Sequence, residues 1–313
     1  MTRVAAVDCG TNSVRLLVAD AVGDTLVEVV RRMEITRLGQ GVDATSRLAP
    51  EALERTGTVL RRYAEDIARL GAERVRVAAT SATRDAANRA DFEALVRVTV
   101  GVVPEVISGE EEARLSFAGA VRGLAGGAPP YLVCDIGGGS TELVLGGGGA
   151  GAGQPGAEEV VAACSMNVGC VRLAERHLRA DPPTAAQVSA AEADVRAALA
   201  EAREKVPVER TATMVGVAGS ITTVAALALG LAEYDPAKVH HSRLSAARID
   251  EVTTELLAST HAERAARAVI HPGRIDVITA GALVLRVLVA ELGVPEVVVS
   301  EHDILDGIAW SIA

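Results

Sequence analysis

Two short segments of this 313-residue sequence each combine an aspartate, a glycine-containing turn and hydroxyl side chains. Residues 4–18 read VAAVDCGTNSVRLLV, and residues 131–145 read YLVCDIGGGSTELVL. Glycine allows a backbone to approach an anion closely, and the amides of such a turn can donate to anionic oxygens. We therefore expect both turns to bind phosphate, through Gly10, Thr11, Asn12, Ser13, Gly137, Gly138, Gly139, Ser140 and Thr141.

The two segments match each other in register. Placing Asp8 on Asp135 also places Gly10 on Gly137 and brings the apolar residues after each turn into line. Each copy has an apolar run, an aspartate, a tight turn and a second apolar run, which is typical of a β-hairpin. Two such copies, far apart along the chain, predict a duplicated fold.

A third glycine turn lies at residues 216–220, which read GVAGS. It follows an apolar strand-like run and precedes a helical segment, and a helix N-terminus favours an anion. Gly219 and Ser220 are therefore further candidates for phosphate binding. A single turn of this kind could serve only to reverse the chain, but three of them, two related by a repeat, favour a phosphate ligand.

The repeats differ at one chemically informative position, where Arg15 occupies the register of Glu142. An arginine suits phosphate, and a carboxylate suits a metal ion. Mg²⁺ often relies on one or two carboxylates together with water and phosphate oxygens. Asp8, Asp135 and Glu142 are accordingly the candidate metal ligands. In isolation, each aspartate could instead simply begin a turn.

The rest of the chain alternates helical and strand-like patterns, which predicts α/β domains with mainly parallel sheets. The glycine-rich segment 146–156 is interpreted as a flexible loop. The predicted helices are 50–70, 86–98, 110–124, 184–205, 221–229, 276–292 and 304–312, and the predicted strands outside the hairpins are 74–80, 104–108, 159–166, 213–217 and 296–300.

Composition narrows the classes of function. A formal charge of −10 argues against a general nucleic-acid binder, although a site that binds a polyanion can still be locally positive. The four cysteines have neither zinc-ligand spacing nor the pattern of a disulfide framework. No apolar stretch is long and uniform enough to span a bilayer, so we expect a soluble cytoplasmic protein with no membrane partner.

Taken together, seven motifs resemble those of the exopolyphosphatase and guanosine pentaphosphate phosphohydrolase family, within the actin-like ATPase superfold. The resemblance covers nearly the whole chain. It implies two actin-like (ribonuclease H-like) α/β domains with mixed sheets flanked by helices. We expect the domains to span residues 1–125 and 126–313, and the last helix could pack back on the N-terminal domain. The resemblance also implies an active site in the interdomain cleft. The motifs are VDCGTNSVRLL, ATSATRDAANRADF, ISGEEEARL, CDIGGGSTEL, VGCVRLAE, GVAGSIT and RIDVITAGALVL.

The resemblance also implies roles for single residues. The last glutamate of ISGEEEARL, Glu112, matches the catalytic carboxylate that activates water. Its neighbours Glu110 and Glu111 leave this assignment open by one position, and charged residues in a first helical turn can simply complement the helix dipole. Arg84, in ATSATRDA, matches a phosphate-binding arginine. Together with Arg15 it would supply the positive charge for the substrate.

The implied activity is a Mg²⁺-dependent exopolyphosphatase that releases terminal orthophosphate from inorganic polyphosphate. Mn²⁺ as a substitute and K⁺ as an additional ion remain open. The alternatives are hydrolysis of guanosine pentaphosphate at its 5′ end, a kinase of the same superfold, and a non-catalytic sensor of an alarmone or polyphosphate. A homodimer is expected. Longer family members carry an extra C-terminal helical domain, so we expect this chain to favour short polyphosphates.

Other polar residues receive plainer interpretations. His240 and His241 are interpreted as part of a surface loop because no partner lies at metal-ligand spacing. Arg274 could either contact a long polyanion or end a loop. In the last segment, SEHDILDGIAW, Leu305-Asp306-Gly307 stands where the family more commonly has arginine-glutamate-glycine, and the missing arginine predicts the loss of one substrate contact.

Overall fold

A computed structural model describes residues 2–124, 126–147 and 159–313. Most of the segment interpreted as a flexible loop, from residue 148 onward, lies outside these described residues. The chain divides into two compact units: residues 1–119 together with 304–313 form the first, and residues 120–303 form the second. Within the described ranges, no helix is long and apolar enough to cross a membrane.

The elements alternate along the chain much as the sequence pattern indicates. The strands are β1 (Thr2–Cys9), β2 (Ser13–Val22), β3 (Thr25–Ile35), β4 (Arg74–Ala79), β5 (Glu105–Val106), β6 (Tyr131–Ile136), β7 (Thr141–Gly146), β8 (Val160–Met166), β9 (Thr213–Val217), β10 (Arg243–Ser245) and β11 (Glu296–Val299). The helices are α1 (Val42–Thr45), α2 (Pro50–Leu70), α3 (Ser81–Asp85), α4 (Arg89–Val100), α5 (Gly109–Val121), α6 (Cys170–Arg176), α7 (Ala185–Arg203), α8 (Ala218–Ala228), α9 (Pro236–Val239), α10 (Ala246–Ala258), α11 (His261–Ala265), α12 (Ile278–Leu292) and α13 (Ile304–Trp310).

The first unit is built on a sheet with the strand order β3-β2-β1-β4-β5. β1 pairs antiparallel with β2 and parallel with β4. Because successive side chains of a strand point to opposite faces, β1 contributes to two separate cores. On one face, Val7 packs with Leu60 of α2 and Phe92 of α4. On the other, Ala6 packs with Leu305 of α13. Helices therefore flank this sheet on both sides.

The second unit has a sheet with the order β10-β11-β9-β6-β7-β8. β6, β9 and β11 run parallel, while the β6–β7 hairpin, β8 and β10 add antiparallel pairs. Apolar residues of β6 and β7, such as Leu132 and Leu143, pack with Val195 of α7, Ile221 of α8 and Leu283 of α12. The Ala-rich composition suits this core, because small side chains allow helices to pack closely on a sheet.

The prediction of mainly parallel sheets is wrong, because each sheet joins its parallel strands to an antiparallel hairpin. The mixed sheets flanked by helices that the family resemblance implies are what the structure contains. Parallel strands have their C-terminal ends along the same edge of the sheet. At this edge, Cys9 pairs with Ala79 in the first unit, and Asp135 pairs with Val217 in the second. Each predicted glycine turn follows a strand that ends at such an edge.

Candidate active site

The turn of the first hairpin is closed by a hydrogen bond of 3.0 Å from the Gly10 amide to the Ser13 carbonyl oxygen. Asp8 and Arg15 lie opposite each other on β1 and β2. Arg15 donates through Nε and Nη2 to Oδ2 of Asp8, at 2.9 and 2.7 Å. Since Asp8 is buried, the guanidinium offsets a carboxylate charge that would otherwise be costly. One predicted metal ligand is thus the counter-ion of one predicted phosphate-binding arginine, and both roles stay predictions.

A later segment of the chain holds this first turn in place. The Arg37 amide donates to the Asn12 carbonyl oxygen at 2.9 Å, and the Gly39 amide donates to that of Thr11 at 2.8 Å. The Thr11 and Ser81 hydroxyl oxygens lie 2.8 Å apart, within hydrogen-bond distance. The contacts of Arg37 and Gly39 use carbonyl oxygens of the turn rather than its amides, while the Gly10 amide already closes the turn. The sequence reasoning did not assign this supporting segment.

The second hairpin repeats the geometry of the first. The Gly137 amide donates to the Ser140 carbonyl oxygen at 3.0 Å. Asp135 and Glu142 lie opposite each other on β6 and β7, and they are only 6% and 1% exposed. The Ser165 hydroxyl donates to Oε1 of Glu142 at 2.6 Å. The hairpin therefore holds two buried carboxylates side by side where the first hairpin holds an ion pair.

The carboxylate pair fits a Mg²⁺ ion. Neighbouring like charges away from water disfavour each other, and a divalent cation between them would offset that cost. Asp135 and Glu142 offer the hard oxygen donors that Mg²⁺ prefers, in the small number that it needs when phosphate and water supply the rest. No group of three His, Cys, Asp or Glu side chains that could hold a metal ion occurs among residues 2–124, 126–147 and 159–313. An all-protein metal cage is therefore not present in these ranges.

The start of α6 supports the second turn through hydrogen bonds. The amides of Cys170 and Val171 donate to the carbonyl oxygens of Gly137 and Gly138, each at 2.9 Å. A Cβ atom added to Gly169 would lie 2.5 Å from the Gly138 carbonyl oxygen. The close approach of the two segments thus requires a glycine at position 169. The sequence reasoning matched VGCVRLAE to a family segment but gave it no structural role.

The third turn joins β9 to α8 and carries an arginine on its surface. A Cβ atom at Gly219 would lie 1.1 Å from Nη1 of Arg274, so the guanidinium lies directly on this glycine. Ser220 is buried, and its hydroxyl approaches α12 where Gly281 leaves room for it. Arg274, which the sequence left between two interpretations, lies at a predicted phosphate-binding turn.

The candidate base, Glu112, lies in the first turn of α5 and is 8% exposed. Arg84 donates through Nη1 to Oε2 of Glu112 at 3.0 Å and to the Ile107 carbonyl oxygen at 2.9 Å. The predicted phosphate-binding arginine and the predicted base are therefore in contact. This arrangement fixes the orientation of one carboxylate oxygen.

The two neighbouring glutamates are engaged elsewhere. Glu110 accepts from Arg114 at 2.7 Å, and both side chains are largely exposed. Glu111 accepts from Arg76 at 2.5 Å. Successive residues of a helix point about 100° apart, so the three glutamates cannot share one direction. The structure thus favours Glu112 over its neighbours as the candidate base.

Cysteine chemistry does not contribute to this site. Burial raises the pKa of all four thiols, Cys9, Cys134, Cys164 and Cys170. A thiol must lose its proton to act as a nucleophile, and these four stay protonated at neutral pH. They behave as small apolar side chains.

Known proteins resemble this chain in fold and in sequence. Exopolyphosphatase 2 of Mycobacterium tuberculosis is 50% identical over 327 residues, an alignment that covers 100% of this chain and 99% of that protein. The crystal structure of an exopolyphosphatase-like protein matches with a TM-score of 0.96 and 45% identity, covering 100% of this chain and 98% of that one. The PPX-GPPA enzyme of Aquifex aeolicus matches with a TM-score of 0.80 and 32% identity over 99% of both chains.

These likenesses confirm the predicted family and its α/β fold class. They extend over the hairpins, the start of α5 and the third turn, which are the segments that carry the candidate site. The model of the Ppx/GppA phosphatase family matches residues 17–313. This chain therefore belongs to the Ppx/GppA phosphatase family.

Proposed function

We propose that this chain is an exopolyphosphatase, a hydrolase that releases orthophosphate from the end of inorganic polyphosphate. The observation that carries the proposal is the buried carboxylate of Glu112, oriented by Arg84 at the start of α5. The full-length identity of 50% to a protein named exopolyphosphatase 2 supports the choice of substrate. Donor-rich turns suit a substrate that consists of phosphate groups alone.

The chemistry requires an oriented water molecule, charge neutralisation and a fixed phosphoryl group. Glu112 accepts a proton from the attacking water as the water oxygen bonds to the terminal phosphorus. The bond from that phosphorus to the bridging oxygen breaks, and the shortened chain leaves with the bridging oxygen. Arg84 keeps the Glu112 carboxylate in position. The glycine turns, including Gly219, donate to phosphate oxygens.

Asp135 and Glu142 would hold a Mg²⁺ ion, which would offset negative charge on the phosphate oxygens. Ser165 fixes one of the two carboxylates by its hydrogen bond to Glu142. A homodimer, a cytoplasmic location and a preference for short chains stay predictions. Hydrolysis of guanosine pentaphosphate would use the same residues, so the site alone does not separate the two activities. A panel of substrates distinguishes hydrolysis of guanosine pentaphosphate from hydrolysis of polyphosphate.

Replacing Glu112 by glutamine tests the assigned base. Glutamine keeps the size of the side chain but cannot accept the proton, so we expect kcat on polyphosphate to fall by about 10²-fold or more. Glu111→Gln is the matched control, since Glu111 is bound to Arg76, and we expect it to stay within about threefold of the wild type. Phosphate release from short polyphosphate, long polyphosphate and guanosine pentaphosphate measures both variants. Full activity of Glu112→Gln would refute the role of this residue, and binding without hydrolysis by the wild-type protein would indicate a sensor.

Replacing Asp135 by asparagine tests the metal pair. Asparagine retains one oxygen donor but lacks the charge, so the Mg²⁺ concentration for half-maximal activity should rise about tenfold or more. The control is Asp250→Asn, an exposed aspartate of α10. Activity is measured against Mg²⁺ concentration after removal of metal by a chelator. Unchanged activity in the presence of the chelator would rule out the metal.

A further inference from the structure

The edge of the second sheet that carries Asp135 continues beyond the third turn. Ser300, just after β11, donates its amide to the Gly216 carbonyl oxygen at 2.9 Å. His241, before β10, donates its amide to the Val299 carbonyl oxygen at 2.7 Å. The segments around these residues therefore lie along one edge in the order β6, β9, β11, β10. Neighbouring strands are about 4.8 Å apart, so this edge extends about 14 Å from the carboxylate pair.

Three histidine rings form a cluster at the far end of this edge. The ring centroids of His240 and His241 are 3.6 Å apart with an interplanar angle of 30°, and those of His240 and His302 are 4.7 Å apart. The Glu301 amide donates to Nδ1 of His240 at 3.1 Å, so the neutral ring carries its proton on Nε2. His302 is exposed, and His240 and His241 are half-buried. The cluster can thus present ring N–H donors at the surface.

Charged and polar groups lie on the segments that carry the histidine cluster. Glu301 accepts from the Tyr234 hydroxyl at 2.5 Å. Burial, together with the charge of Glu301, raises the pKa of Tyr234, so its phenol stays neutral. Lys238 of α9 pairs with Asp235 at 3.3 Å. Arg274 lies near enough to Tyr234 for its charge to act on the phenol, and so it connects the cluster to the third turn.

We propose that the histidine cluster, His240, His241 and His302, binds the trailing phosphate groups of a linear polyphosphate whose reacting end lies at the Asp135 and Glu142 pair. This inference rests on the proposed function and names the direction of the substrate. A polyanion that leaves the carboxylate pair meets the amides of the third turn and Arg274 first, and then the imidazole rings. Donors thus follow one another along this edge, as the successive negatively charged phosphate groups of such a chain require.

The cluster makes binding depend on pH. Burial, with a smaller effect of His302, lowers the pKa of His241, so this ring is neutral in the free protein at neutral pH. Phosphate oxygens favour the protonated ring and would raise that pKa, so binding takes up protons. Affinity for long chains therefore increases as the pH falls toward the pKa of the free ring. A chain too short to reach the cluster lacks this dependence.

The test compares KM and kcat for tripolyphosphate and for a polyphosphate of several dozen units between pH 6 and pH 8. The variants are His302→Gln and His241→Asn, because asparagine tolerates the left-handed backbone of position 241, where φ is +63°. We expect their KM for the long chain at pH 6 to rise about two- to fivefold, with the effect on KM rather than on kcat. Their KM for tripolyphosphate should match that of the wild type.

His261→Gln is the matched control, since this exposed histidine pairs with Asp276 outside the cluster. It should keep the pH dependence of the wild type. The same dependence in the two cluster variants would overturn the inference while leaving the proposed function intact. Absence of phosphate release by the wild-type protein would instead overturn the proposed function. Binding of the long chain measured at equilibrium, together with thermal unfolding of each variant, separates a lost contact from a folding defect.

Discussion

Three residues with side chains adopt a left-handed backbone at loops of the candidate site or beside it. Arg37, with φ of +50°, contacts the first turn, and Ala218, with φ of +69°, opens α8 at the third turn. His241 belongs to the histidine cluster. Such conformations cost about 1 kcal/mol or more for a residue with a Cβ atom, and they persist where the surrounding structure requires them. The loops at the candidate site are thus held in place at some cost in stability.

Replacing Ala218 by glycine should relieve this cost. Glycine adopts a positive φ without a steric penalty, so we expect the free energy of unfolding to rise by about 1 kcal/mol. Denaturant unfolding measures the change. The control is Ala225→Gly, within the same helix, which should lose about 1 kcal/mol or more because glycine adds freedom to the unfolded chain and removes the buried methyl group of Ala225. A loss of stability in Ala218→Gly would contradict the strain at this position.

Some of these single-residue contacts could be predicted from the sequence, and others could not. A hairpin closed between Gly10 and Ser13 places Asp8 opposite Arg15, so their ion pair follows from register alone. Sequence could not distinguish the three successive glutamates, because their difference lies in which side of α5 faces the core. Nor could it place Arg274 on Gly219, since that contact depends on how residues distant along the chain pack.

The helices and strands were predicted best where the pattern was strong. α2 and β9 have the predicted bounds. α7 begins at Ala185, one residue after the predicted start, because Thr184 is its N-cap, and the side chains of Thr184 and Gln187 form a reciprocal capping box. β3 was missed, because it is an edge strand whose charged residues, such as Arg31 and Arg32, obscure the alternation. The predicted helix 86–98 is correct only in its later part, since residues 86–88 connect α3 to α4, which begins at Arg89.

α13 packs against α5, the helix that carries Glu112. A Cβ atom at Gly307 would lie 2.0 Å from the Leu115 carbonyl oxygen of α5. The neighbouring Leu305 is buried in the core of the first unit. The residue that departs from the family's arginine thus has a packing role here, and the predicted loss of a substrate contact stays a prediction.

Gly307→Ala should therefore destabilise the first unit. The methyl group must displace backbone rather than a mobile side chain, and we expect a loss of about 1–3 kcal/mol in the free energy of unfolding. In Gly57→Ala, the control, the methyl group meets only the flexible end of Leu95, and alanine also favours the helix. We expect the control to lose less than Gly307→Ala in the same unfolding measurement. Equal losses would show that the α13–α5 contact is not specially tight.

For the molecule as a whole, the internal repeat and the family resemblance contribute different parts of the prediction. The repeat alone predicts two units with one phosphate-binding hairpin each, and both hairpins close in the same way. It could not predict that each sheet is mixed, because strand direction depends on the connections between elements. The resemblance supplied the mixed sheets and the candidate base.

The first unit is discontinuous in sequence, and this affects how the protein is made. Arg31 of β3 pairs with Asp306 of α13, 275 positions later, and Val4 and Leu17 of the same unit pack with Ile308. During synthesis, the whole of the second unit leaves the ribosome before α13 does. One apolar face of the first sheet lacks α13 throughout that interval, and closing so long a loop costs entropy. We therefore expect the second unit to mature first, while the first unit keeps an exposed apolar face, which chaperones can bind, until α13 emerges.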